Sequence, residues 1–541
     1  MFLILCLSLA LMAQGEPADL IIHGARIYTG TPGERPVSSL AVRGGRVLAV
    51  GNDLVRYAGP STRRIDAHGA TIIPGFIDSH AHMLGLGENL ESPDFRYTRT
   101  VEAVAKMVKN AAAFRAPGEW IVGYNWDQTN WGGQFPTEQV LSAAVPDHPV
   151  YLTRVDGHAS WVNRKALEIA GITANTPDPP GGKIIRTPAG APSGVLIDTA
   201  QGLVERKIPP ATDEQICRRL ERAARECARL GITTVHDAGI GARELAAYRA
   251  LIREDRLPIR VYAMIGGAGS LWSEYLKRGP ETGERLTVRS IKLMADGAMG
   301  SRGAAFQEPY TDDPGNTGLL MLTRPQIERI AKEAVAHGFQ VNTHAIGDRA
   351  IRTVIEAYGA VLGGHNHRRF RIEHAQCVAP PDFELFSKYS VIASMQATHA
   401  TSDLRWAEAR VGPERVKGCY AWRSFLSIGV PVPNGSDFPV EEPNPLWGFY
   451  ASITRQDREG NPRDGWFPDQ RMTREEALRS WTIVGAYAAF EENIKGTLAP
   501  GKLADFVMLS DDIMTVPAAR ILEIRVLMTV SGGKIVHEAA R

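Results

Sequence analysis

The stretch TIIPGFIDSHAHM, residues 71–83, drives an apolar run (Ile72, Ile73, Phe76, Ile77) straight into two histidines, His80 and His82. Alternate residues of a strand share a face, so both imidazoles would aim at one point. Two nitrogen donors converging at the end of a buried strand are the beginning of a divalent-metal site. The motif alone is weak: with 14 histidines in 541 residues, an HxH arises by chance roughly 0.4 times per chain. A second HxH, His365 and His367 in GGHNHRRF, follows two glycines and precedes two arginines with no apolar strand beneath it, and reads as a solvated loop. Context separates the two.

From residue 213 onward, amphipathic helices such as TDEQICRRLERAARECARLG alternate with apolar strands. With the opening stretch, the strands fall at 76–82, 233–239, 260–265, 290–296, 341–348, 370–376, 391–399 and 432–437. Eight is the number that closes a (β/α)8 TIM-like barrel, so the fold class is α/β. The barrel takes 71–84 as its first strand and 213–484 for the rest, provided that 85–212 is an insertion. That region differs in composition, with Trp120, Trp126, Trp131 and Trp161 and the runs NTPDPPGG and TPAGAPSG, and reads as an inserted α+β domain. Segments 16–70 and 485–541 are short alternating strands with Gly turns. Each has too few strands to stand alone, and together they are expected to form a β-sandwich flanking the barrel.

Catalytic groups of such a barrel sit where strands end and βα loops begin. There the first strand places His80 and His82, the fourth Lys292, the fifth His344, the sixth His374 and the eighth Asp437. A single core histidine is usually satisfied by a backbone carbonyl; six potential ligands at one end of one barrel are not a coincidence of composition. Imidazoles and carboxylates suit zinc or a similar divalent ion, one or two of them, and a metal lowers the pKa of bound water from 15.7 to roughly 7. Asp437 could bind metal and shuttle the proton of that water to a leaving amine. Lys292 has three readings: displaced onto substrate, carboxylated so that it bridges two metals, or paired with Asp296.

Other classes are disfavoured. A net charge of +1 leaves no footprint for nucleic acid or an anionic membrane. MFLILCLSLALMAQG, residues 1–15, has the length of a signal-peptide core rather than a span, with Ala13 and Gly15 spaced for cleavage, so export to the periplasm or medium is expected. Beyond it stand Cys217, Cys227, Cys377 and Cys419. The first two lie in one helix roughly 15 Å apart, and the chain does not read as a disulfide-stapled scaffold. Ser193 in APSGV lacks the strand–turn–helix setting of a serine nucleophile.

The motifs PGFIDSHAHML, SIKLMADGAMGSRGA, NTHAIGDRAI, RIEHAQ, NGSDFPV and GTLAPGKLADFVML resemble the amidohydrolase superfamily, and within it the amidohydrolase-3 branch that includes N-substituted formamide deformylases. GYNWD and RVDGHASWVN in the insertion are similar to the same branch. The resemblance runs from about residue 18 to the end. It implies a metal-dependent hydrolase of C–N bonds in which His80, His82 and Asp437 hold one metal. His344 and His374 would hold the second, with a carboxylated Lys292 as bridge and Asp437 as general acid/base. It also implies substrate contacts by His158, Trp126, Arg302 and His399, with Tyr124, Trp161 and Trp406 nearby in motif. Arg302 could clamp a carboxylate, and His158 or His399 could polarise a carbonyl oxygen.

The function expected is hydrolysis of an amide, cyclic amide or formamide-like bond of a small molecule. The same site could take an ester, lactone or phosphoester, and a non-enzymatic binding protein on this scaffold is the remaining alternative. A homo-oligomer is compatible with all three.

Overall fold

The computed structural model describes residues 17–113, 115–154, 159–179, 182–300, 302–364 and 367–540; the apolar leader lies outside them. Eight parallel strands form one sheet, hydrogen-bonded in chain order: β1 Phe76–Ala81, β2 Ile232–Ile240, β3 Arg260–Gly266, β4 Leu286–Met294, β5 Gln340–Ala345, β6 Arg371–His374, β7 Ile392–Gln396 and β8 Asn434–Gly435. Their near-continuous burial is what a parallel sheet covered on both faces requires. The sheet curls until its edges meet: the Asp437 amide donates to the His80 carbonyl (2.8 Å) and the His82 amide to Phe438 (2.9 Å). Gly435 permits that seam, because a Cβ there would stand 2.6 Å from the His80 nitrogen and 2.9 Å from an Asp78 oxygen.

The connecting helices carry their own stop signals. Arg324–His337 opens on a Thr323/Gln326 capping box, buries Ile327, Ile330, Ala331 and Ala334, and ends at Gly338 with φ 83°, the left-handed cap glycine tolerates best. One boundary differs from the sequence expectation. β7 stops at Gln396 rather than running to His399, and Ala397–Asp403 is helical. The Ala397 amide finds an acceptor in the Asn434 side chain (3.1 Å), 37 residues on, so the chain can leave the sheet there without orphaning a donor.

The two ends of the chain share a sheet. Thr71–Pro74 pairs antiparallel with Phe506–Leu509, which continues into Val526–Ser531 and Lys534–Glu538, with Arg26–Ile27 at the other edge. A second sheet runs Arg46–Gly51, Ser39–Arg43, Leu20–His23, Arg63–Asp66. Their common core includes Ile22, Ile27, Leu40, Ile72, Phe506 and Val530, so neither terminal segment buries its apolar face without the other. The start of β3 is tied to this layer by a buried pair, Arg260 Nε to Asp505 Oδ2 at 2.8 Å and Nη2 to Oδ1 at 3.1 Å.

Leu84–Arg222 forms a compact unit of its own. Its sheet runs Gly182–Arg186, Pro192–Asp198, Ala159–Val162, Val150–Arg154, Ile121–Trp126, over a core that contains Val104, Val108, Leu152, Trp126 and Trp161. Among the described residues no helix is long and apolar enough to cross a membrane. Among the described residues one disulfide is formed, Cys377–Cys419, a pairing the sequence reading did not name. It spans 42 residues and joins the loops after β6 and β7, a proximity that local spacing does not reveal.

Candidate metal centre

β1 delivers His80 and His82 to one point, as alternate residues of a strand must be delivered. His82 Nε2 lies 3.1 Å and His80 Nε2 3.5 Å from Asp437 Oδ1. Asp437 reaches them from the turn after β8 at φ 60°, and His374 closes β6 at φ 70°. Left-handed backbone at a non-glycine residue costs on the order of 1–3 kcal/mol and survives where the surroundings over-determine it. At His374 it breaks the strand alternation, so that Glu373 and His374, adjacent in sequence, both serve the site.

Among the described residues, two groups of histidine and acid side chains have ligand atoms all within 4.8 Å of one another: His80, His82, Asp437, and His374, His399, Asp437. His344 stands beside them, its ring 4.5 Å from that of His374, with Nε2 turned toward the Gly297 carbonyl (3.4 Å). Lys292 is 5% exposed, and its Nζ has the Met294 sulfur at 3.7 Å. Asp296, the alternative partner of Lys292, instead accepts amide hydrogen bonds from Ala305, Ile346 and Gly347.

The electrostatics suit a cation. Burial holds the imidazoles of His80 and His374 below their ordinary pKa, and burial with Lys292 nearby brings His344 to about 3. They are therefore neutral donors at neutral pH. Burial acts to raise Asp437, but the His82 imidazole 3.1 Å away and the nearby His80 and His374 keep it well below the carboxylate range. Burial lowers the Lys292 ammonium, against the pull of Glu373 and Asp437. His80 Nε2, His374 Nδ1, His399 Nε2 and Asp437 Oδ1 are all buried without a hydrogen-bond partner. Unpaired buried polar atoms are costly, and divalent ions held by the two groups would give these atoms partners.

Glu373 was not singled out from the sequence. Its Oε2 sits 2.6 Å from His80 Nδ1, with both side chains fully buried, the carboxylate–imidazole pairing that fixes a metal ligand's tautomer. A charged residue two places after Arg371 in the buried strand RIEH was the signal available.

The residues expected to contact substrate fall in several places. His399 joins the centre. Arg302 forms a two-pronged pair with Asp312 (2.9 and 3.1 Å). Trp126 is fully buried in the inserted unit, its Nε1 donating to the Leu152 carbonyl (2.8 Å). Trp161 is buried beside it, and Tyr124 lies on the same strand. Trp406 faces Gly300. His158 and His365 lie outside the described residues.

A parallel eight-stranded barrel with a histidine–aspartate cluster at its C-terminal end defines a metal-dependent hydrolase. The chain belongs to the amidohydrolase family: the family model "Amidohydro_3: Amidohydrolase family" matches residues 63–537. The protein LONG AFTER FAR-RED 3 of Arabidopsis thaliana is 33% identical over 96% of this chain and 92% of its own. An N-substituted formamide deformylase from Arthrobacter pascens is 26% identical over 96% of this chain and 98% of its own. The crystal structure of an uncharacterized metal-dependent hydrolase from Pyrococcus horikoshii OT3 superposes with a TM-score of 0.77 at 28% identity, covering 92% of this chain and 99% of that one.

Proposed function

We propose that this chain hydrolyses a C–N bond of a small molecule, an amide, cyclic amide or formamide-like group, with Asp437 as general acid/base. The observation that carries the reading is the buried, ionised Asp437 carboxylate set among His80, His82, His374 and His399. The Arthrobacter pascens relative, by its name, removes a formyl group from nitrogen, which favours nitrogen over oxygen as the leaving atom. A divalent ion held by these residues, zinc by the donor set, would supply a water of lowered pKa. Asp437 is the group placed to take up a proton at its carboxylate and return it to the departing amine. Glu373 holds His80 with Nδ1 toward itself, which leaves Nε2 for the ion.

Lys292 is read as carboxylated. Among the described residues no carboxylate lies within 4.0 Å of its Nζ, and burial favours the neutral amine, the form that adds to carbon dioxide. That addition would form an N–C bond and release one proton, leaving a carbamate anion that would serve as a metal ligand. The Cys377–Cys419 bond suits the oxidising compartment to which the apolar leader would direct the chain.

A panel of matched N-substituted formamides, amides, lactams, esters and phosphoesters tests the reading. Expected is amine release by wild type and, in Asp437→Asn, a loss on the order of 10³-fold with metal retained. Turnover confined to esters or phosphoesters, or undiminished in that variant, would contradict it.

A further inference from the structure

We propose that His399 is a ligand of the second metal position, completing it with His374 and the outer oxygen of Asp437. The inference rests on the metal-centre reading above and goes beyond it by assigning a ligand from the helix after β7. The resemblance gives that residue to substrate and assigns the second position to His344.

The two oxygens of Asp437 face different partners. Oδ1 is directed to His82 and His80 (3.1 and 3.5 Å), whereas Oδ2 has His399 Nε2 at 3.6 Å. Ligand atoms on one tetrahedral ion with bonds near 2.0–2.1 Å stand about 3.4 Å apart, so each oxygen already has a neighbour at ligand spacing. His399 is 9% exposed, and its Nε2 is buried with no hydrogen-bond partner. Its ring lies parallel to that of His374, 7° between planes and 5.9 Å between centroids, and His374 Nδ1 is likewise buried without a partner. His344 Nε2 has the Gly297 carbonyl at 3.4 Å and Asp296 Oδ1 at 3.5 Å, contacts of the kind that leave the other ring nitrogen free to ligate, so His399 is proposed as a further ligand beside it.

The supporting contacts fit a ligand. Asp403 stands four residues on, on the same face of the helix. The Tyr420 hydroxyl donates to Asp403 (2.6 Å) and accepts from Gln376 Nε2 (2.7 Å), two residues past His374. The Cys377–Cys419 bond closes the same junction. The helix bearing His399 and the loop following His374 are thus held together by a hydrogen-bond chain and a covalent link, as a shared ion would require.

Metal stoichiometry tests the assignment without any substrate. Wild type, His399→Ala and His399→Gln are loaded with zinc, desalted and analysed for metal per chain, with circular dichroism and melting curves to show which variants fold. Expected is close to two equivalents in wild type and close to one in each folded His399 variant; should the alanine variant not fold, the glutamine variant decides. Two equivalents retained at wild-type affinity in a folded variant, or one equivalent in both, would overturn the assignment. A wild-type chain that binds no metal would overturn the metal-centre reading itself.

Discussion

At the residue scale, the site depends on side chains whose neighbours fix both charge and direction. His80 and His82 were legible because strand alternation converts sequence spacing into a shared face. Lys292, His344, His374 and Asp437 could be placed at one end of the barrel because each lies at or near the C-terminal end of a strand-like run. Glu373 was not, since its role depends on a left-handed turn at the next residue, His374, that strand periodicity does not announce. The same limit applies to Arg302, whose Asp312 partner is set by the folding of a long loop. Glu373 yields a direct prediction. Glu373→Gln keeps the shape but removes the charge that opposes His80 Nδ1, so metal affinity is expected to fall about 10–100-fold in a chelator-competition titration. Unchanged affinity would show that the pair does not orient the ligand.

At the element scale, the strands were easier to read than their ends. A fully buried parallel strand is a short apolar run bounded by turn residues, and eight such runs stand out. Where a strand yields to a helix is decided elsewhere: β7 ends at Gln396 because the Asn434 side chain, far along the chain, receives the Ala397 amide. Moving His399 from a strand to a helix changes what it can do. On a strand it would have been one more residue of the β7 face; on the helix its ring lies parallel to that of His374. Gly435 shows the opposite case. It lies in the run read as the eighth strand, where nothing in the sequence shows that close approach to His80 demands a glycine.

At the scale of the whole molecule, the N- and C-terminal strands were recognisable as halves because neither is stable alone, and they share one core. The Cys377–Cys419 bond was hidden because barrel closure, not sequence proximity, brings its loops together. The Arg260–Asp505 pair, equally remote in sequence, makes a prediction about acid stability. Burial works to raise the Asp505 pKa, but Arg260 and the Gly532 amide hold it below the ordinary value. Its contribution is therefore fully present above the unfolded-state value, about 3.9, and is lost as pH falls through the lowered folded value. Asp505→Asn is expected to destabilise the chain at pH 7 by about 3–5 kcal/mol, with the gap to wild type narrowing below pH ~4. Denaturant midpoints measured across that range check it; a gap that widens toward acid would refute the sign.

The metal centre itself is tested most directly by anomalous diffraction from crystals grown with zinc and bicarbonate, with data on both sides of the zinc edge. Expected is an anomalous peak enclosed by His80, His82 and Asp437, with density extending from Lys292 Nζ toward it. Zinc bound elsewhere on the chain, with no peak among these residues, would contradict the account.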